Sequence, residues 1–508
     1  MGRISLAKKN IAFGYMGQIL TSLMSFILRT VFIRHLSREL LGVNATYTNV
    51  LSILSMAELG IGTALNFSLY RPVAENDREK IKSYMQLYRK AYTVIAFVVA
   101  GLGILLVPFL PHLVKNPGVS AHDLVVYYLI FLFNTVSTYF VSYKYSLVNA
   151  EQRNYIQTNI NTVTKIISVG LQILVVVLTK NFLLYLLTDA AVQLLQKIFV
   201  SQYLNRLYPY LLERDVEPLS KEESKEVWTK TKALVLHRVG DVARLQTDSL
   251  IISSMIEVGV SGLVDNYTMV INTVTNFVNI IFNSVISGFG NLIATESKER
   301  QRELFGVYRF FAAWVYGFAV TGFFVLLTPF ITILWGGVWA IPGACVYLIL
   351  TDLYFKGERI VLSNFKTAAG VFEQDKYLAL IQGAVNLVLS IFFVKRIGLA
   401  GVYVGTVVSG LIANVTKPVI IYRVCFDESA YGYFRDTVKY ALTVLFCIGV
   451  SEAVCRFVMP APKLSGFCLM FVFITVFFNG VFLLLFGRTR EFAYLWGIVQ
   501  GRLRKEKS

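Results

Sequence analysis

The sequence predicts an all-α integral membrane protein with about fourteen transmembrane helices. Of its 508 residues, 56% are hydrophobic and only 16% are charged, whereas about a quarter are charged in soluble proteins. The mean hydropathy is +0.60. Apolar runs recur from end to end, and a bilayer core about 30 Å thick needs about 20 helical residues to cross it. The bundle of transmembrane helices is therefore the folded domain of this chain.

The apolar runs define the predicted spans, which we number in chain order. The fourteen spans cover residues 11–32, 46–70, 91–114, 123–143, 156–178, 182–203, 232–256, 260–293, 304–335, 341–366, 377–394, 399–422, 437–458 and 464–487.

The distribution of basic residues predicts the orientation of these spans. The formal charge is +17, but Lys and Arg fall mainly in alternate loops, which predicts topology and gives no reason to expect nucleic acid as a partner. Arg34, Arg38, Lys395 and Arg396 are exceptions to the alternation. The positive-inside rule places both termini in the cytoplasm.

Soluble catalytic and metal-binding motifs are absent from the sequence. The five cysteines have no metal-type spacing, and the four histidines form no ligand pair. There is no phosphate-binding Gly-rich loop that ends in Lys-Ser or Lys-Thr. We expect no cofactor and no metal, and any energy for transport has to come from an ion gradient or from substrate flux.

Three weak echoes indicate an internal duplication. Gly42-Val-Asn-Ala-Thr-Tyr47 returns as Gly262-Leu-Val-Asp-Asn-Tyr267, Gly60-Ile-Gly62 as Gly288-Phe-Gly290, and the Leu105–Phe109 segment as Leu326–Phe330. The offset of about 220 to 228 residues maps spans 1–3 onto spans 7–9. Because six spans separate the copies, the repeat is parallel and has a pseudo-two-fold axis along the membrane normal.

This repeat predicts the domain organisation. Two six-helix lobes are followed by two extra helices, with an N-lobe at 1–203, a cytoplasmic linker at 204–231, a C-lobe at 232–422, and spans 13 and 14 with a cytoplasmic tail at 423–508.

Charged residues inside the spans are candidates for a transport pathway, because each costs a few kcal/mol in lipid. In span 7, His237, Asp241, Arg244 and Asp248 follow a helical stripe, with Arg238 on its flank. The alternative is that Arg244 pairs with Asp241 and Asp248 to hold the bundle together.

Spans 1, 2 and 10 carry further candidates. Arg29 can line a cavity or snorkel to headgroups, and Glu58 precedes two glycines that suit close helix packing. In span 10, Asp352, Lys356 and Arg359 follow a helical stripe that predicts a second cationic wall, with snorkelling as the alternative for Arg359. We regard Lys165 and Asp189, in spans 5 and 6, as a structural pair.

Span 8 carries an amide stripe. Asn272, Asn276, Asn279 and Asn283 lie on one helical face. Amides donate and accept hydrogen bonds and so suit sugar hydroxyls, but hydrogen bonding between helices is an equal alternative.

Ordered motifs resemble those of the bacterial oligosaccharide flippases, the polysaccharide transporters within the multidrug, oligosaccharidyl-lipid and polysaccharide exporter superfamily. The motifs are Leu36-Ser37 with Glu39-Leu-Leu-Gly42, Ala57-Glu-Leu-Gly-Ile-Gly-Thr-Ala64, Leu69-Tyr-Arg-Pro-Val-Ala74, Thr247-Asp248-Ser-Leu-Ile-Ile-Ser253, Asp265-Asn-Tyr-Thr268, Gly290-Asn291, Asn386-Leu-Val-Leu-Ser390, Gly398-Leu-Ala-Gly401 and Gly405-Thr406. They extend from span 1 to span 12. The charged segment Arg238–Arg244 departs from the family pattern.

The resemblance implies a V-shaped cavity between two lobes, with alternating access. It also implies that an undecaprenyl-diphosphate-linked oligosaccharide moves from the cytoplasmic to the outer leaflet of the bacterial plasma membrane, for capsule, O-antigen or exopolysaccharide synthesis. Membrane lipids and the polymerase or glycosyltransferase machinery are the other expected partners.

On this resemblance, the cavity side chains divide into three groups. The diphosphate is expected to bind Arg29, Arg238, Arg244, Lys356 and Arg359, since Arg can bind phosphate oxygens through two parallel hydrogen bonds. The sugar is expected at the four asparagines of span 8. Glu58, Asp241 and Asp248 are candidates for H⁺ or Na⁺ coupling.

Two other functions remain open at this stage. A cation-coupled multidrug exporter would share the architecture, but it should have an excess of acidic or aromatic cavity residues. A membrane-embedded glycosyltransferase or polymerase would need a large outer loop, and every predicted outer loop is short.

Overall fold

The fold was analysed in a computed structural model of the chain. The structure describes residues 3–55, 58, 68–213, 216–225, 227–228, 246–371, 373–375 and 377–505. The described residues are almost entirely helical and include no β-strand, which confirms the predicted all-α class. By contacts the chain divides into two compact units, Met1–Gly262 and Leu263–Ser508.

Among the described residues of unit 1, short helical segments lie at 68–75, 221–225 and 246–251. The described residues of the unit also form six long helices, one short one and the start of an eighth. They are α1 (Arg3–His35), α2 (Arg38–Leu54), α3 (Arg78–Leu106), the single turn α4 (Leu110–Leu113), α5 (Ala121–Ala150), α6 (Asn154–Thr179), α7 (Phe182–Leu207) and the beginning of α8 (Val258–Asn283). Shorter turns lie at Val107–Phe109, Pro209–Leu212 and Ile252–Ile256.

The part of unit 2 that the structure describes contains the rest of α8 and eight further helices. They are α9 (Ile286–Thr295), α10 (Lys298–Trp335), α11 (Gly343–Ala369), α12 (Leu378–Ile397), α13 (Leu399–Ile421), α14 (Tyr431–Val458), α15 (Leu464–Phe486) and α16 (Arg490–Lys505). Shorter turns lie at Gly337–Trp339, Glu373–Asp375 and Tyr422–Phe426.

Eleven of the described helices are long and apolar enough to cross a membrane, so the chain is a multi-pass membrane protein. The prediction of fourteen remains open at three places. Spans 2 and 7 lie partly outside the described residues. Span 10 corresponds to α11, which is 27 residues long but carries several charged side chains.

Several helices begin earlier than the apolar runs predict. Asp77 caps α3 by accepting from the backbone N–H of Lys80, and Ser297 caps α10 by accepting from that of Arg300. A polar cap satisfies an otherwise unpaired N–H of the first turn, so the helix extends through basic residues that hydropathy assigns to a loop. Span 8 corresponds to one candidate membrane span, Val258–Thr295, within which α8 and α9 are separate helices.

The internal repeat is visible in the described helices. Helices α2 and α8 begin about 220 residues apart, as do α3 and α10. Tyr47 and Tyr267 are both fully buried. Tyr47 donates to the backbone oxygen of Leu124 near the start of α5 (3.0 Å), and Tyr267 accepts from the backbone N–H of Ile341 just before α11 (3.4 Å). Both tyrosines thus bond backbone close to the start of a later helix, although Tyr47 donates and Tyr267 accepts.

Unit 1 includes the predicted linker and the first five residues of α8. The predicted lobe boundaries at 203 and 232 stay predictions. The second motif pair of the repeat is described only in its later copy, because Gly60 and Gly62 lie outside the described residues.

A buried polar network joins α14 to α10 and α11 in unit 2. Arg309 of α10 donates to the backbone oxygen of Tyr433 (2.7 Å) and to Thr437 Oγ1 (2.6 Å), and its guanidinium lies 3.6 Å from the centre of the Tyr433 ring. Glu358 of α11 lies 3.9 Å from Arg309. Both charged side chains are almost fully buried, so the removal of either one would leave an uncompensated buried charge.

The segment that follows α7 is attached to the start of α3 by charged contacts. Lys82 Nζ lies 2.7 Å from Glu213 Oε2, and Ser83 Oγ donates to the backbone oxygen of Glu217 (2.6 Å). Lys80 donates to Glu223, and this contact lowers the pKa of the Glu223 carboxyl. The carboxylate is therefore ionised at neutral pH. We call these contacts the linker clasp.

Two glycines of the repeat motif permit a close approach within unit 1. A Cβ at Gly42 would overlap the backbone oxygen of Val258, and a Cβ at Gly262 would lie 2.8 Å from the backbone nitrogen of Gly42. The backbone oxygen of Val258 cannot rotate away as the end of a side chain can. Only glycine therefore fits at position 42.

Gly42→Ala is expected to destabilise the protein by about 1–3 kcal/mol, because it overpacks this crossing. Thermal unfolding of the purified protein in detergent would show a lower midpoint. Gly101→Ala is the matched control, since nothing lies within 4 Å of the position of its Cβ. Equal midpoints for the two variants would contradict the close approach.

Lys82→Met is expected to release the linker clasp, because it leaves Glu213 and Glu79 without their shared cation. Chymotrypsin should then cut the purified protein near Tyr208–Leu212 several-fold faster, since cleavage follows the population of the open segment. Lys90→Met, at an exposed position of the same helix, should leave the rate unchanged. Unchanged cleavage of Lys82→Met would mean that the contacts do not hold the linker.

Candidate functional site

A polar cavity of about 390 Å³ lies inside unit 1. Helices α2, α5, α6 and α7 form its walls, and most of its lining side chains are hydroxyls or amides. The lining residues are Asn44, Thr48, Leu51, Ser52, Ser55, Ile130, Phe131, Asn134, Thr135, Thr138, Gln172, Tyr185, Leu186, Asp189, Gln193 and Lys197. Such side chains are costly in contact with lipid, and here they line a partly open cavity between four helices.

Lys197 and Asp189 are the charged residues that line this cavity. Lys197 is only 9% exposed. Its ammonium donates to the backbone oxygen of Asn134 (2.8 Å) and to Ser137 Oγ (2.8 Å). Asp189 Oδ1 accepts from Ser168 Oγ (2.7 Å). Each charge is thus hydrogen-bonded by the wall of the cavity.

Arg29, predicted to bind diphosphate, lies near this cavity. It is half-buried on α1, and Lys165 of α6 interacts electrostatically with both Arg29 and Asp189. Lys165 therefore interacts with Asp189, as predicted, and also with the cation Arg29. The structure brings Arg29 together with residues of α6 and α7 and places it within a cluster of charges.

Glu58, a candidate for ion coupling, connects to the same cavity through Tyr139. The Tyr139 hydroxyl lies 2.8 Å from Ser55 Oγ and also forms a hydrogen bond with the Glu58 carboxyl. A hydroxyl has one proton, so when Tyr139 donates to Glu58, Ser55 donates to Tyr139. This chain of hydrogen bonds links the carboxyl to a lining residue of the cavity.

Most of the charged stripe in span 7 cannot be placed. His237, Arg238, Asp241 and Arg244 lie outside the described residues. Asp248, the last member of the stripe, is half-buried and helical within unit 1. The proposed roles of this stripe stay predictions.

The cationic wall predicted on α11 has two different members. Lys356 is exposed over 44% of its side chain and pairs with Asp352 at 2.8 Å. Arg359 is buried, and its Nη1 donates to the backbone oxygen of Gly410 (2.7 Å) and to Asn414 Oδ1 (2.7 Å) on α13. In this conformation Lys356 is open to an incoming anion, whereas Arg359 joins two helices. Its role in diphosphate binding stays a prediction.

The four asparagines of the amide stripe on α8 also differ in exposure and in hydrogen bonding. Asn272, Asn276 and Asn283 are exposed. Asn279 is half-buried and accepts from the hydroxyl of Tyr316 on α10 (2.7 Å). Three amides are therefore available to a ligand, and one forms the hydrogen bond between helices that was the alternative.

The cavity of unit 1 was not among the predicted sites, although the sequence carries a signal for it. Asp189, Gln193 and Lys197 are spaced by four and four in an otherwise apolar run. This spacing places them on one face of α7. The search for polar residues at helical spacing within an apolar span, which selected spans 7, 8 and 10, would also have selected span 6.

Arg359→Ala is expected to destabilise unit 2 by about 1–3 kcal/mol, because it leaves Gly410 and Asn414 without their donor. The thermal midpoint of the purified protein should fall. Lys356→Ala, one turn away and exposed, should leave the midpoint unchanged. Equal midpoints for the two variants would contradict the role of Arg359 in joining α11 to α13.

Comparisons of fold place the chain among transporter structures. The lipid II flippase MurJ, in an inward closed conformation, matches with a TM-score of 0.66 and 12% identity, over 94% of this chain and 100% of that chain. A multidrug resistance MATE family transporter of the MOP superfamily, facing inward, matches with a TM-score of 0.60 and 16% identity, over 78% and 92%. At these identities the matches show a shared fold.

A third match illustrates how the binding pocket varies on this fold. A MOP superfamily transporter from Pyrococcus furiosus, described as having a binding pocket of reversed polarity, has a TM-score of 0.54 and 16% identity, over 81% of this chain and 93% of that chain.

Sequence comparison assigns the family. No curated protein matches the chain by sequence. The profile of the family described as polysaccharide biosynthesis proteins matches residues 7–287, which is more than half of the chain, and confirms the resemblance drawn from the ordered motifs. The protein is therefore a member of the polysaccharide biosynthesis protein family.

Proposed function

We propose that this protein is a flippase that carries a polyprenyl-diphosphate-linked oligosaccharide, with undecaprenol as the expected lipid, from the cytoplasmic to the outer leaflet of the plasma membrane. The observation that carries the proposal is the family match over residues 7–287, in a chain with eleven described helices that can span a membrane. A membrane protein of polysaccharide biosynthesis has to act on glycans that are attached to lipid or that cross the lipid.

The described side chains support a sugar-linked anion as the substrate. The exposed amides of α8 and the hydroxyl and amide lining of the cavity in unit 1 are hydrogen-bonding groups that match a glycan. Lys356 and Arg29 supply cations for a diphosphate, and Arg238 and Arg244 remain further candidates. An anion in a low-dielectric environment needs fixed positive partners of this kind.

A multidrug exporter is the second candidate, and the MATE family fold match favours it. The charges of unit 1 favour the flippase. Lys165, Lys197 and Arg29 lie in or near the cavity with Asp189, whereas an exporter of cationic drugs should have an excess of acids there. Coupling to H⁺ or Na⁺ through Glu58, Asp241 or Asp248 belongs to the proposal for either function.

Arg29→Ala combined with Arg244→Ala is expected to abolish polymer export and leave the protein in the membrane, because the diphosphate would lose two cationic partners. The measurement is the amount of surface polysaccharide in a strain that lacks the gene and carries the variant. The lipid-linked oligosaccharide should accumulate on the cytoplasmic side of that strain. Arg71→Ala, whose side chain is 86% exposed in an ion pair with Glu75, is the matched control.

Full export by the double variant would reject the role of these arginines. If the deletion strain accumulates no lipid-linked sugar at all, the flippase proposal fails, and accumulation of a cationic drug in that strain would favour the exporter.

A further inference from the structure

The charge of Lys197 in the unit 1 cavity has only neutral hydrogen-bonding partners. The backbone oxygen of Asn134 and the hydroxyl of Ser137 accept two of its three N–H groups among the described residues. Neither partner carries a negative charge. Asp189 is eight residues away on the same helix, or about 12 Å along its axis. The two side chains interact electrostatically, but the ion pairs among the described residues do not include Lys197 with Asp189, and the hydrogen bonds of the ammonium come from the wall of the cavity.

The acid of the cavity has other partners. Asp189 accepts from Ser168 Oγ at 2.7 Å and interacts with Lys165, and Lys165 also interacts with Arg29. Asp189 thus has Lys165 of α6 as a cationic neighbour, and Arg29 of α1 lies beside that lysine. A buried cation is stable only when it is paired or fully hydrogen-bonded, so an anion that enters the cavity beside Lys197 would complete the charge balance.

The rest of the lining is suited to a sugar ring. Asn134 Oδ1 is buried and has no hydrogen-bond donor among the described residues, although the backbone oxygen of the same residue holds Lys197. Side chains of Thr48, Ser52 and Thr138 line the same space, and Tyr185 adds an aromatic face. A ligand hydroxyl placed beside the ammonium would supply the donor that Asn134 lacks.

The size of the cavity limits the ligand to a small part of a glycan. Small-molecule pockets range from about 300 to 1,000 Å³, and about 390 Å³ is near the lower limit. One sugar ring with its substituents fits such a space, and a whole lipid-linked oligosaccharide does not.

We propose that the cavity of unit 1 binds one acidic sugar of the transported glycan, with the sugar carboxylate at Lys197 and its ring hydroxyls at Asn134 and the neighbouring side chains. This inference rests on the proposed function, because it assumes that a glycan is the cargo. Lys197 is then a specificity-determining residue that favours uronic-acid-type sugars over neutral ones.

The test is binding of free glucuronate and glucose to the full-length protein in nanodiscs of neutral lipid, measured by isothermal titration calorimetry. Glucuronate should bind about tenfold or more tightly than glucose, as expected for a charge-assisted hydrogen bond. Lys197→Gln should remove this preference, and Lys197→Arg should keep most of it. Lys90→Gln, at an exposed position outside the cavity, is the control and should behave as the unaltered protein.

A second variant keeps the test informative if Lys197→Gln does not fold. Thr48→Asp places a negative charge on the exposed lining of α2, and it should weaken binding of glucuronate by a larger factor than that of glucose, because it repels only the charged sugar. Equal affinities for the two sugars in the unaltered protein, or a glucuronate affinity that neither substitution changes, would overturn the inference.

The outcomes separate this inference from the flippase proposal. If the cavity assignment alone is wrong, the deletion strain still accumulates a lipid-linked glycan while Lys197→Gln binds glucuronate as before. If the flippase proposal is wrong, no glycan accumulates, whatever the calorimetry shows.

Discussion

Inside a bilayer every charged or hydrogen-bonding group must find its partner within the protein, and this constraint explains the arrangement of polar side chains in the chain. The Arg309 network, the Arg359 contacts and the cavity of unit 1 are three solutions. In the first two, helices close around the group and satisfy it. In the third, the walls satisfy each charge locally but leave a space between them. Only the third arrangement leaves room for a ligand.

The duplication shows how such arrangements can diverge on one framework. Tyr47 and Tyr267 retain equivalent anchoring positions, so the two halves share a helical scaffold. The polar side chains mounted on that scaffold differ. Unit 1 contains a lined cavity, whereas the charged groups Arg309 and Glu358 of unit 2 are closed into a helix contact. The repeat therefore preserves packing and allows the chemistry of each half to change.

The fold was largely predictable because hydropathy and helix length depend on local sequence. The apolar runs located α6, α12, α13 and α15 within a few residues. Helix starts were less accurate, since the caps at Asp77 and Ser297 extend α3 and α10 beyond their apolar segments.

The site was harder to predict than the fold. A stripe such as Lys356–Arg359 identifies a helix face that avoids lipid, but it does not say which neighbour covers that face. The contact of Arg359 with Asn414 joins residues 55 positions apart, and a periodicity in one helix contains no information on that partner.

The Arg309 network has a mechanical consequence for the last two spans. Its buried cation and its hydrogen bonds fasten α14 to α10 and α11, and α15 packs against α10 through the stacked rings of Trp314 and Phe482. Breaking these contacts would leave the buried charge of Arg309 without its partners and without water. Helices α14 and α15, which follow the duplicated segments, should therefore move together with α10 and α11 as one rigid group in any conformational change. A hinge for such a change has to lie outside these contacts.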